Sequence, residues 1–96
     1  MANNINISYD LYAPGQKYDR VIERIKSLGS WAKVHKSYWY LSTNLNAAQV
    51  CDAVWAVMDP NDSLYVIDGT NNSAAWRNID SNVETFIKNH WLLKAA

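Results

Sequence analysis

A single cysteine, Cys51, is all the thiol chemistry this chain has. It excludes an internal disulfide and fits a reducing compartment. The two histidines, His35 and His90, have no partner at metal-ligand spacing, which argues against a zinc site. There are three glycines and none of them forms a Gly-rich phosphate loop; a Ser-His-Asp pattern is also missing. Charge of either sign is not in surplus, because nine basic residues balance nine acidic ones. Nucleic-acid binding draws most of its affinity from phosphate neutralisation, so this balance does not support it. No apolar run approaches the ~20 residues that span a bilayer. The opening Met1–Asn6 is polar and lacks the basic-then-apolar order of a signal peptide. A cytoplasmic location, with no membrane partner, is the expectation.

What the chain does have is tryptophan and tyrosine: five and six of them, against one phenylalanine. Both combine a large apolar body with a polar tip, and both are favoured where a surface is at once buried and wetted, as at an interface. Ninety-six residues make one domain, 1–96. At that size the core must be efficient or a partner must complete it.

Hydrophobic period locates the elements. Ile5, Ile7, Tyr9 and Leu11 alternate with Asn6, Ser8 and Asp10, which is a half-buried strand. After Pro14-Gly15, the set Tyr18, Val21, Ile22, Ile25 and Leu28 forms one apolar helical stripe, with Gly29 placed for a left-handed stop. Two aromatic-rich runs, Trp31–His35 and Tyr38–Thr43, read as a hairpin turning at Lys36-Ser37. Asn46 with Gln49 is a capping box for a second helix striped by Ala47, Val50, Cys51, Val54, Val57 and Met58. Asp59-Pro60-Asn61-Asp62 ends it, and Ser63–Asp68 is a fourth strand closed by Gly69.

The resulting order βαββαβ predicts an α+β, ferredoxin-like domain: a four-stranded antiparallel sheet with two helices on one face. Its core spans residues 5–69, and an arm and helix over 70–96 are added. Ala74–Ile79 reads either as a short edge strand or as an irregular arm. Ser81 with Glu84 repeats the capping-box pattern and starts a helix to about Lys94, with Val83, Phe86, Ile87, His90 and Trp91 on one face.

At Ser8-Tyr9-Asp10-Leu11 the sequence resembles a known family. That motif is followed by Tyr18-x-x-Val21-Ile22-x-x-Ile25-Lys26-x-Leu28-Gly29, then Gly29-Ser30-Trp31, Ser37-Tyr38-Trp39 and Asn61-Asp62-Ser63-Leu64-Tyr65-Val66-Ile67. Together these look like the SinR-like relatives of the small CRISPR-associated adaptation protein, over residues 5–79. The resemblance implies a ferredoxin-like homodimer whose sheets meet across a two-fold axis. It also implies that Asp10 holds a divalent metal, Mg²⁺ or Mn²⁺, between the subunits. Some members are metal-dependent nucleases, whereas others are only structural parts of a DNA-integrating complex. This chain departs from the family where a basic cluster normally follows the aspartate: Leu11–Gln16 intervenes before Lys17 and Arg20.

Asp10 is therefore the candidate catalytic and metal-binding residue, by resemblance and because hard cations take oxygen ligands. The alternative is an exposed strand-end Asp. If Ala32, Val34, Trp39, Leu41, Leu64 and Val66 face the helices, then Trp31, Tyr38, Tyr40, Tyr65 and Ile67 form the opposite sheet face. With Phe86 and Trp91 they are the candidate interface. Base stacking on such a face is the competing reading. Cys51 reads as inert core, and Lys17, Arg20, Arg24 and Lys26, interleaved with Asp19 and Glu23, as a solvated helix face. Three functions follow: an assembly-type homodimer of the SinR-like kind, a metal-dependent nuclease using paired Asp10, or an anti-defence (anti-CRISPR-type) inhibitor from a phage or mobile element that binds a host protein.

Overall fold

Strict alternation in the first strand sets the layout of the sheet. The computed structural model describes residues 2–12 and 18–92; Pro14-Gly15, Lys17 and Lys94 lie outside them. The elements run β1 (Asn3–Asp10), α1 (Tyr18–Lys26), β2 (Ser30–His35), β3 (Tyr38–Thr43), α2 (Ala47–Trp55), β4 (Ser63–Asp68), β5 (Ser73–Arg77) and α3 (Ser81–Ile87), with a π-helical turn over Lys88–Leu92. The fold class is α+β.

The sheet has five antiparallel strands, in the order β2-β3-β1-β4-β5, rather than the expected four. The extra strand is the segment whose sequence left strand or arm open. Small and branched-free residues carry no strong strand propensity of their own, so Ser73-Ala74-Ala75 becomes a strand by pairing with β4. Asparagines in the left-handed region, Asn72 (φ 54°) and Asn78 (φ 59°), flank it. Asn tolerates that conformation better than most residues, so both bends are placed where the chain can make them.

Ile5, Ile7, Trp39, Leu41, Leu64 and Val66 line one sheet face and pack with Val21 and Ile25 of α1 and Ala47, Val50, Cys51 and Val54 of α2 in one core. Burying each Ile or Leu of this set contributes roughly 1.5–3 kcal/mol. The aromatic members bring polar tips, and these are satisfied: the Trp39 indole N–H donates to the Tyr9 hydroxyl at 3.2 Å.

The capping box of α2 forms as expected. Gln49 N–H donates to Asn46 Oδ1 (2.8 Å) and Asn46 N–H donates to Gln49 Oε1 (2.9 Å). The box expected at Ser81 does not form. Asp80 caps α3 instead, accepting from Asn82 N–H at 2.8 Å, because Glu84 turns away to accept from the Trp76 indole at 2.7 Å. Gly29 is not a left-handed stop, since its φ lies outside the left-handed region. It is needed because a Cβ there would run into the Ser42 carbonyl oxygen.

One face assignment is corrected by the hairpin register. Trp31 pairs with Leu41 and Ala32 with Tyr40, so Trp31 lies on the helix side and Ala32 on the outer side. A register shift between Lys33 and His35 then places Val34 at a bulge, half exposed. Alternation by itself cannot tell which of two exposed edge-strand faces turns inward; only the pairing partner decides.

Candidate interaction face and its neighbouring aspartates

On the outer face the ladders bring side chains into two rows. Tyr38, Ser8, Tyr65 and Trp76 stand side by side across β3, β1, β4 and β5. Ala32, Tyr40, Asn6, Ile67 and Ala74 form the next row. Each row has a small or polar β1 residue at its centre and larger apolar groups on both sides, so the face is a shallow trough floored by Asn6 and Ser8. Tyr65 stacks on Trp76 (centroids 5.8 Å, interplanar 29°), and the Tyr40 hydroxyl donates to Asn4 Oδ1 at 2.7 Å. Burial pushes the Tyr65 phenol above its ordinary value, with the neighbouring Tyr38 adding to the effect.

Of the expected interface residues, the structure brings together Tyr38, Tyr40, Tyr65 and Ile67. Trp31 is on the other side of the sheet, against Trp39 (centroids 5.5 Å), with the Lys26 ammonium 4.5 Å from its ring. Phe86 is on α3 and is 62% exposed; Val83 beside it is 49% exposed. No residue of α3 is buried, and the helix reaches the outer face at Trp76, through Glu84. The side chain of Trp91 lies outside the described residues. Trp76 is the outer-face aromatic that sequence reasoning missed. The alternation of Ala74 and Trp76 against Ala75 and Arg77 is a usable signal, but only once the segment is known to pair with β4.

Asp10 ends β1 opposite Ser63, exposed, on the outer face. Among the described residues no group of three or more His, Cys, Asp or Glu could hold a metal ion. A single carboxylate is far from the six oxygen ligands that Mg²⁺ takes, and Asp10 belongs to no such group among the described residues of one copy.

The carboxylate beside it in the fold has a different task. Asp62 is 1% exposed and accepts backbone N–H groups from Tyr12 (2.7 Å) and Asp59 (2.8 Å). Its own carbonyl accepts from the Asn78 side chain at 2.9 Å. Asp62 thus ties together the exit of β1, the turn before β4 and the exit of β5. At the other end of β4, buried Asp68 accepts from the backbone N–H groups of Thr70 (2.9 Å) and Asn71 (3.1 Å). Turn-rich sequence was the visible sign of both; their burial was not visible.

Cys51 is buried, and burial raises its thiol pKa more than the nearby Arg77 lowers it. It is an unreactive core thiol. No helix among the described residues is long and apolar enough to cross a membrane. No protein-family model, curated protein or solved structure matches the chain.

Proposed function

We propose that this chain is a ferredoxin-like, SinR-like homodimer of the CRISPR-adaptation kind, acting in the cytoplasm mainly by assembly through its outer sheet face. The observation that carries the reading is the Tyr38–Ser8–Tyr65–Trp76 row, three half-buried aromatics around one small residue, which α3 meets at its Trp76 end through Glu84. The first four strands in the order β2-β3-β1-β4 support the ferredoxin-like description, with β5 and α3 as additions. Contiguous apolar patches of this kind mark contact surfaces. A two-fold interface uses the same patch on both copies, and the flat rings on either side of the trough can stack against their mates. Because Asp10 lies at the end of central strand β1 on the same face, a face-to-face pair with its two-fold axis along β1 brings two Asp10 carboxylates toward each other. Mg²⁺ or Mn²⁺ bound between them would give a subsidiary, weak nuclease activity.

Sedimentation at micromolar concentration tests the assembly. A dimer is expected, with Tyr65→Arg giving folded monomers whose melting temperature no longer depends on protein concentration; a wild-type monomer would sink the proposal. For the metal, Asp10→Asn abolishes Mg²⁺-dependent cleavage and leaves the dimer intact. Cleavage that survives the substitution removes Asp10 from the chemistry.

A second reading is favoured by the zero net charge and by Asp10 belonging to no metal-holding group of three or more His, Cys, Asp or Glu among the described residues. The same face then binds a host protein, as an anti-defence inhibitor of phage or mobile-element origin would, using the Tyr and Trp that dominate hot spots. Its mark is a monomer that co-purifies with a host defence complex and loses it on Tyr65→Arg.

A further inference from the structure

The two edges of the sheet are defended very differently. β2 carries Lys33, His35 and, in the turn, Lys36, and its ladder is broken by the irregularity between Lys33 and His35. Charge and a bulge are the usual devices that keep an edge from pairing with another strand. β5 has neither along Ser73-Ala74-Ala75-Trp76: its register to β4 is regular from Ser73 to Arg77. Among the described residues no hydrogen bond reaches its backbone from outside the β4 ladder. α3 is held to β5 by the Trp76–Glu84 side-chain bond, and Glu84 and Ile87 are its half-buried residues.

Beside this bare edge is a cleft of about 360 Å³, walled by Ala48, Cys51 and Asp52 of α2 and by Ala74–Arg77 of β5, with Lys88 at its rim. The alanines make the room and the apolar floor. Arg77, bound to Asp52 at 2.8 Å, still has guanidinium donors to spare. Lys88 has no carboxylate partner among the described residues.

We propose that the β5 edge and this cleft take an extended peptide of another protein as a sixth strand. Main-chain hydrogen bonds to Ser73–Arg77 supply affinity, and alternate side chains of the peptide enter the cleft. One is a small aliphatic group over Ala48 and Ala75. The next on the same face is an acidic side chain that meets Arg77 and Lys88. Charge decides against a second copy as the occupant. β5 brings a cation and no carboxylate, so self-pairing adds Arg77 to a rim that is already cationic.

The test uses the full chain, ¹⁵N-labelled, with the peptide Ac-Thr-Val-Thr-Glu-Thr-Val-Thr-NH₂ and its Lys-for-Glu counterpart. Saturable shifts and slowed amide exchange confined to Ser73–Arg77 and α2 are expected, with the Lys peptide about tenfold weaker. Lys88→Glu, an exposed substitution that leaves the fold intact, reverses that preference. The proposal is overturned by equal binding of the two peptides or by no shift at millimolar peptide. Shifts on the Tyr38–Tyr65 face alone, or concentration-dependent self-pairing through β5, overturn it as well.

Discussion

On the helix side of the sheet Ile5, Ile7, Leu41, Leu64 and Val66 are fully covered, whereas on the outer side Tyr38, Tyr40, Tyr65 and Ile67 are only half-buried. The same strands supply both sets, one residue apart. The first set is aliphatic and meets two amphipathic helices, so its energy is realised within one copy. The second is aromatic with hydroxyl tips, which can be wetted in the free protein and dried in a contact. A covered face therefore specifies the fold, and an open face of this make-up specifies something the fold can touch.

The largest way to sharpen that contrast is Ile7→Ala on the helix side. Removing a fully buried side chain from a closed core costs about 2–5 kcal/mol, read as a lower urea midpoint. Tyr38→Ala, made on the outer side as the control, costs about 1 kcal/mol or less in the monomer, on the scale of one cross-strand pair. If the two losses are equal, the outer face is already closed in solution.

Alkaline titration gives a smaller effect that separates the faces by chemistry. Burial raises the pKa of Tyr9 on the helix side and of Tyr65 on the outer side above the ordinary 10.0. For a phenol raised in the folded state, its contribution is intact below the unfolded value. It is lost as pH climbs through the folded one, because the unfolded chain releases its proton first. The melting temperature falls above pH 10.0, and the fall is shallower in Tyr9→Phe. For Tyr65→Phe the flattening grows with protein concentration if the outer face pairs; concentration independence counts against pairing there.

The smallest effect is expected at Phe86. It is 62% exposed on a helix that buries nothing, so Phe86→Ser changes stability by no more than ~0.5 kcal/mol. A larger loss, read by thermal melting, means that α3 is docked on something in solution.

Much of this molecule is legible without coordinates. The alternation from Ile5 to Leu11, the stripe from Tyr18 to Leu28 and the Asn46–Gln49 box are local patterns, and each forms as its residues require. Where the reading slipped, the deciding partner was distant in sequence. Trp31 faces the helices because Leu41 sets its register, Glu84 abandons its cap for Trp76, and Ser73–Arg77 is a strand because β4 offers an edge. The candidate site divides in the same way. The outer aromatics on β3 and β4 could be assigned by parity, while Trp76 beside Tyr65 required the fifth strand.

Sequence alone determined the class of fold, the composition of the core and the excess of Tyr and Trp, since these depend on local periodicity and on residue chemistry. Tertiary structure decided which face those rings occupy, that α3 meets that face at Trp76, that Asp62 is a buried clasp while Asp10 stays solvated, and that charge and a bulge guard one edge and not the other. Pairing register and burial are properties of contacts between distant residues, and no periodicity encodes them.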